Sequence, residues 1–346
     1  MESLNFYESD IDCYDMKDIV LLAKNCSEPL ISLNLNDYDL RDLLTLFCYA
    51  VKLEEFGGAP SYKSDTTISY MRRNDFPIVV DLAQQLMKLD LMCSMSDDIN
   101  FGGFLAYECP NLEVLYTKGV VSQIGLSALA RGCVKLECLH AYIKDITNEA
   151  LECIESNLKN LYDFRITSVD TREKMTDLPL DKGVRALLMG CTKLEKLGIY
   201  IRNNVPLTAV SLWSIGKFGQ NLMSLMLGYL DASNDGLMQL SAGCPKLQKF
   251  EVRGCYFSEE AISMLALNLS SIRYMWFQSY RVGDAICKTK MDFIESKGDI
   301  FGGDGNIRNM FRPNWHMELI RPELDVDVNE NTNFQILLIN QHFNGP

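Results

Sequence analysis

Histidine is scarce in this chain: only His140, His316 and His342 occur among 346 residues. A histidine-based triad or a multi-histidine metal centre therefore has little to draw on. There is no G-x-S-x-G elbow, no G-x-x-x-x-G-K-[ST] phosphate loop and no H-E-x-x-H helix. The glycine cluster GGDG at 302–305 lacks the Lys-Ser/Thr of a phosphate loop and reads as a plain loop. These absences point away from an enzyme and towards a non-catalytic protein. Cationic charge is also short, since 33 Lys and Arg face 46 Asp and Glu, a net of −13. A protein built to grip a nucleic-acid backbone needs a net cationic surface, so nucleic acid is not an expected partner. Apolar runs such as Leu43 to Val51 fall far short of the ~20 residues that cross a bilayer, so no membrane partner is expected. The opening MESLNFYESD is acidic and lacks the basic start of a secretory signal. The 12 cysteines include no C-x-x-C pair. The expectation is a soluble protein of a reducing compartment, not secreted, whose cysteines mostly act as small buried hydrophobes.

What is present is a repeat. The strings CPNLEVL (109–115), CVKLECL (133–139), CTKLEKL (191–197) and CPKLQKF (244–250) are one motif, with weaker copies on either side. The first apolar anchors are Leu30, Leu53, Leu86, Leu112, Leu136, Leu161, Leu194, Leu222, Leu247 and Ile272. Their spacing runs from 23 to 33 residues. That is a leucine-rich repeat with two longer units. Between the motifs lie helical patterns, as in GLSALARGC (125–133), NEALECIESN (148–157), GVRALLMGC (183–191), GLMQLSAGC (236–244) and EEAISMLALN (259–268). The predicted fold is α/β: a leucine-rich-repeat solenoid, or horseshoe, with a parallel concave sheet and convex helices. The solenoid spans 1–281, an irregular loop follows over 282–312, and a C-terminal cap and tail fill 313–346, with FQILLIN as a terminal strand. MESLNF matches the strand half of a unit with nothing to cap it, so preceding sequence is expected to be missing.

Cys109, Cys133, Cys191 and Cys244 recur where helix gives way to strand, which suits a buried thiol under the turn. Metal binding is the competing reading, because Cys133, Cys138 and His140 form C-x4-C-x-H. The strand phase sends Cys133 to the core and Cys138 and His140 to the open face, so these three do not converge and no metal is expected.

Alternation along each strand also selects the open face. The outward sets are Cys138, His140 and Tyr142; Asp163, Arg165 and Thr167; Lys196, Gly198 and Tyr200; Ser224, Met226 and Gly228; Lys249, Glu251 and Arg253; Tyr274, Trp276 and Gln278. Tyr142 and Tyr200 hold one strand position two units apart. Arg165, Lys249, Arg253 and Arg281 form a basic group on an acidic protein, suited to a carboxylate or polyanion. The alternative is a solvated face on which Asp163 and Glu251 neutralise two of these cations.

Long strings, among them DITNEALECI, NLKNLYDFR, MTDLPLDKGVRALLMGC, LMLGYLDASNDGLMQLSAGCPKLQKFEVRGCYFSEEAI and RPNWHMELI, closely resemble the coronatine-insensitive jasmonate-receptor family of plants. These are F-box/leucine-rich-repeat proteins related to the auxin receptor. The likeness covers most of 1–281 and resumes at 312–320. It implies a substrate-recognition subunit of an SCF ubiquitin ligase, acting in the nucleus and also the cytoplasm. It implies jasmonoyl-isoleucine as ligand, a jasmonate-ZIM-domain repressor peptide as partner and an inositol polyphosphate as structural cofactor. Carried over by position, Arg165, Tyr142, Tyr200 and Met226 would contact the hormone, and Arg165, Lys249, Arg253 and Arg281 the inositol phosphate. The sequence also departs from the pattern. The F-box is expected to be absent from this chain, so a Skp-type adaptor is not an expected partner. Roughly one repeat, carrying an arginine pair, is missing between Lys118 and Val121, and a second shortening falls near Pro77–Ile78. Ser224 stands where the family has Trp, His140 stands where it has a small residue, and Val282–Gly305 is longer than its connector. A decoy or purely structural interaction module without hormone binding is therefore the alternative function.

Overall fold

A computed structural model describes residues 3–5, 16–25, 30–38, 49–60, 84–91, 101–169, 179–201, 207–230, 234–255, 257–282, 311–320 and 336–337. The loop expected at 282–312 and the tail thus lie largely outside the described residues, as does the shortening near Pro77–Ile78. The chain divides into two compact units: Met1–Asp177 with Met189–Leu194, and Leu178–Leu188 with Glu195–Pro346.

In the first unit, strands β1 (Ser3–Asn5), β2 (Ser32–Tyr38), β3 (Glu55–Pro60), β4 (Lys88–Leu91), β5 (Val114–Val121), β6 (Cys138–Ile143) and β7 (Asp163–Ser168) pair in sequence order, all parallel. The described helices here are α1 (Met16–Asn25), α2 (Phe101–Glu108), α3 (Gln123–Gly132) and α4 (Asn148–Asn157). Helix α5 (Asp181–Gly190) follows. In the second unit, β8 (Lys196–Tyr200), β9 (Ser224–Gly228), β10 (Lys249–Arg253) and β11 (Tyr274–Val282) are parallel neighbours. Between them run α6 (Ala209–Phe218), α7 (Asn234–Gly243) and α8 (Glu259–Asn268). Each unit is a stack of leucine-rich repeats. The sheet is parallel over the solenoid, as expected; beyond it, β12 (Phe311–Ile320) returns antiparallel along β11, and β13 (Ile336–Leu337) returns antiparallel along β12.

Burial follows the repeat. All ten anchor residues are buried, and burying a Leu or Ile side chain contributes about 2 kcal/mol. The four punctuating cysteines are buried as well. Three of their sulfurs reach back to the preceding repeat. Cys133 Sγ donates to the Cys109 carbonyl at 3.3 Å, Cys191 to that of Leu158 at 3.6 Å and Cys244 to that of Ile215 at 3.5 Å. Each thiol thus adds a second donor to a carbonyl at or near a helix end that already accepts a backbone N–H, from Leu112, Leu161 and Gly219 respectively. On the solvent side, from Leu112 to Leu247, the residue before the anchor alternates between Asn and Lys. Lys135, Lys193 and Lys246 donate to Asn111, Asn160 and Asn221 at 2.9, 2.7 and 2.9 Å.

Helix starts are set by hydroxyl caps. Ser122, Thr147 and Ser258 each accept from the backbone N–H three residues on, at 3.2 Å. Ser122 matters most, because β5 runs almost directly into α3. The β5–β6 register breaks between Thr117 and Val120, so Lys118 and Gly119 form a bulge. That bulge sits where the family resemblance places a missing repeat.

Candidate functional site

In the first unit, period two and parallel register bring one cluster to the sheet face. Cys138 lies opposite Asp163, His140 opposite Arg165 and Tyr142 opposite Thr167. On the other side of β6, Tyr116 lies opposite His140. The Arg165 guanidinium grips both oxygens of Asp163, with Nε–Oδ1 at 2.9 Å and the terminal nitrogen to Oδ2 at 3.1 Å. His140 Nε2 also meets Asp163 Oδ1, at 2.9 Å. Burial alone would raise the Asp163 pKa, but the hydrogen bond with His140, the Arg165 charge and the Arg165 hydrogen bonds outweigh it and hold it below the ordinary carboxylate value. The Tyr116 ring stands edge-on to His140 at 4.7 Å. Burial, then its hydrogen bond to Cys138, pushes the Tyr116 phenol up.

Cys138 corrects the sequence reading in part. It keeps the outward phase, yet it is buried. Cys133, as expected, is elsewhere in the core. The phase argument kept Cys133 apart correctly, but it missed Asp163, whose carboxylate joins Cys138 and His140.

In the second unit, the outward residues form three rows across four strands. Lys196, Ser224, Lys249 and Tyr274 align; so do Gly198, Met226, Glu251 and Trp276; so do Tyr200, Gly228, Arg253 and Gln278. Gly228 separates Tyr200 from Arg253. A Cβ there would run into the Tyr200 ring, so the missing side chain lets that ring cross the row. The Arg253 guanidinium sits between two aromatics, 5.4 Å from the Tyr200 centroid and 4.8 Å from that of Trp276. Each such cation–π contact is worth ~0.5–2 kcal/mol. Among the described residues no carboxylate pairs with Arg253. Lys249, by contrast, meets Glu251 at 2.8 Å and lies 5.2 Å above the Tyr274 ring.

Tyr229 completes this aromatic wall. Its ring is 5.4 Å from that of Tyr200, with the hydroxyls 3.4 Å apart. Its φ of 58° is left-handed, a conformation costing roughly 1–2 kcal/mol outside glycine. The Tyr229 N–H donates to the Arg253 carbonyl at 2.7 Å, which ties the turn to β10. Gly254, at φ 65°, lies under the Tyr229 ring, where a Cβ would come within 2.6 Å of it.

The sequence-selected residues thus fall into two sets. Tyr142 and Arg165 belong to the first unit, on adjacent strands. Tyr200, Met226, Lys249 and Arg253 belong to the second, where Tyr200 and Arg253 are in contact. Arg281 lies on β11 opposite Arg312 of β12; its side chain is outside the described residues. Two residues were missed. Tyr116 could have been found by applying the outward rule one unit earlier, at Leu112. Tyr229 follows its strand's last outward residue, and nothing in the pattern marks a left-handed tyrosine.

The stacked strand–helix units define a leucine-rich-repeat protein. Coronatine-insensitive protein 1 of Arabidopsis thaliana is 36% identical over 383 aligned positions, covering 95% of this chain and 61% of that protein. Homolog 1a of Oryza sativa subsp. japonica is 34% identical, covering 92% and 59%. The chain is similar to these coronatine-insensitive proteins and spans about three fifths of their length. The 383 aligned positions exceed the chain's own 346 residues, so relative sequence without a counterpart falls inside the alignment. No family profile matches the chain. Among solved structures, the Rad7–Elc1 complex of yeast aligns with a TM-score of 0.53 at 16% identity, over 75% of this chain and 65% of that one, a likeness of fold. Among the described residues no helix is long and apolar enough to cross a membrane.

Proposed function

We propose that this chain is the ligand- and substrate-recognising part of a jasmonate-receptor-like protein, and that the face of its second unit binds an anion. The observation that carries this reading is Arg253, a guanidinium between two aromatic rings with no carboxylate partner among the described residues. Planar, delocalised and weakly hydrated, it suits a carboxylate or phosphate. The ligand is jasmonoyl-isoleucine or an inositol polyphosphate, and the partner is a jasmonate-ZIM-domain-type repressor peptide presented for ubiquitin-dependent degradation. Capture of a repressor degron peptide on the immobilised chain tests it, with and without jasmonoyl-isoleucine and inositol polyphosphate. Hormone-dependent capture that is lost in Arg253→Ala is expected. Capture indifferent to both small molecules overturns the receptor reading.

A second reading is an interaction module without hormone affinity. Arg165 favours it, because both Asp163 oxygens already engage its guanidinium. Peptide capture that ignores the hormone and survives Arg165→Ala is the outcome this reading expects.

A further inference from the structure

The cluster on β6 and β7 has a use that the anion-binding face does not absorb. Cys138, His140 and Asp163 each offer one donor atom, and these atoms all lie within 4.8 Å of one another. We propose that Cys138 Sγ, His140 Nε2 and Asp163 Oδ1 form a zinc site that clips β6 to β7.

The donor chemistry selects the metal. A thiolate, an imidazole and a carboxylate suit zinc, whereas magnesium and calcium take oxygen alone. Bonds of about 2.0–2.3 Å in a tetrahedron put donors ~3.5 Å apart. The His140–Asp163 pair, at 2.9 Å, must open slightly, and the sulfur must close by a rotamer-scale movement. The backbone already supplies the rest. Cys138 and His140 are two residues apart on one strand and so share a face, and parallel register puts Asp163 directly beside Cys138.

The surroundings fit as well. The terminal nitrogen of Arg165 on Asp163 Oδ2 is a donor of the kind that orients a ligating carboxylate, while Arg165 Nε, 2.9 Å from Oδ1, must give up that contact when zinc takes the oxygen. Its positive charge opposes a dication, but thiolate and carboxylate together cancel the charge of zinc. Binding displaces the Cys138 thiol proton to solvent, while His140 binds neutral through Nε2. Tyr116 covers one side and hydrogen-bonds the sulfur. The His140 side chain, 19% exposed, leaves a way in and a fourth position for water. Short strand spacing explains why the sequence hid this site: the C-x-H half is legible, but the third ligand is 23 residues on and becomes a neighbour only through the repeat.

The test is zinc titration of the full chain, stripped with chelator, against a chromophoric competitor, with cobalt substitution as the spectroscopic readout. One zinc per chain and a thiolate-to-cobalt charge-transfer band are expected. His140→Gln and Asp163→Asn should each weaken binding by about 100-fold, and Cys138→Ser should abolish the charge-transfer band. Cys133→Ser, a buried thiol outside the cluster, should leave both unchanged. No zinc uptake overturns the proposal, as does uptake unaffected by His140→Gln. Should Cys138→Ser fail to fold, the part-exposed His140→Gln decides alone.

Discussion

Arg253 and Lys249 carry the same charge on the same strand, yet they are not equivalent. Lys249 is half-exposed and already meets Glu251, whose side chain is 11% exposed. Removing Glu251's charge therefore releases a cation towards the face. Glu251→Gln is expected to strengthen inositol polyphosphate binding about fivefold and Arg253→Ala to weaken it about tenfold, each about 1 kcal/mol or slightly more. Calorimetric titration reads both, and a Glu251→Gln variant that binds more weakly would contradict this assignment of charges. Gly228 is the quieter determinant. A methyl group there displaces the Tyr200 ring from its place beside Arg253. Gly228→Ala should cost ~1–3 kcal/mol of stability and lower anion affinity as well, measured by urea unfolding and the same titration. The sequence showed Tyr200 and Arg253 as outward residues. It could not show that a glycine between them lets them touch.

At the scale of elements, the cysteine turn and the hydroxyl cap make the repeat. Burial pushes the thiols of Cys133 and Cys244 up to about 12 and that of Cys191 to about 11, against 9.0 when exposed. A raised thiol pKa favours the folded state fully only below 9.0. Above that value the unfolded chain ionises first, so stability falls as pH rises from 9.0 towards the folded values. Urea midpoints should therefore drop more steeply between pH 8.5 and about 10.5 for the native chain than for a Cys133→Ala, Cys244→Ala double variant. Equal slopes would mean these thiols do not titrate as buried groups. Ser122 caps α3 just after the β5 bulge, and Ser122→Ala should cost about 1 kcal/mol. Helices α3, α4, α5, α7 and α8 were legible because their apolar residues keep helical spacing. Three others, α1 among them, were not. Helix α2, FGGFLAYE, is apolar nearly all round and shows no contrast. Helix α6 buries Ser211 and Ser214, polar residues at core positions, which blunts its pattern. The antiparallel return of β12 was equally hidden, since a repeat's period says nothing about the strand that closes it.

At the scale of the whole chain, charge decides how an anion meets this face. The net charge is −13, while the candidate face holds Lys249, Arg253 and the strand position of Arg281. The two fields act over different distances. The chain-wide field is long-ranged and screened early, because the Debye length falls to about 10 Å at 0.1 M salt. The contact of phosphate with guanidinium is short-ranged and partly desolvated between two rings, so it is screened late. Inositol polyphosphate affinity should therefore rise as salt is raised from about 10 to 100 mM, as repulsion by the acidic surface fades. It should fall only beyond that, as the direct contacts are screened. A protein with a cationic surface shows a monotonic loss instead, steep in the number of phosphates neutralised. Titration at four salt concentrations separates the two. A maximum at intermediate salt places the basic group as a local island in a repelling field. A monotonic fall would mean that the cluster, not the −13, governs approach. The overall composition, read first as evidence against a nucleic-acid partner, would then have been silent about this face.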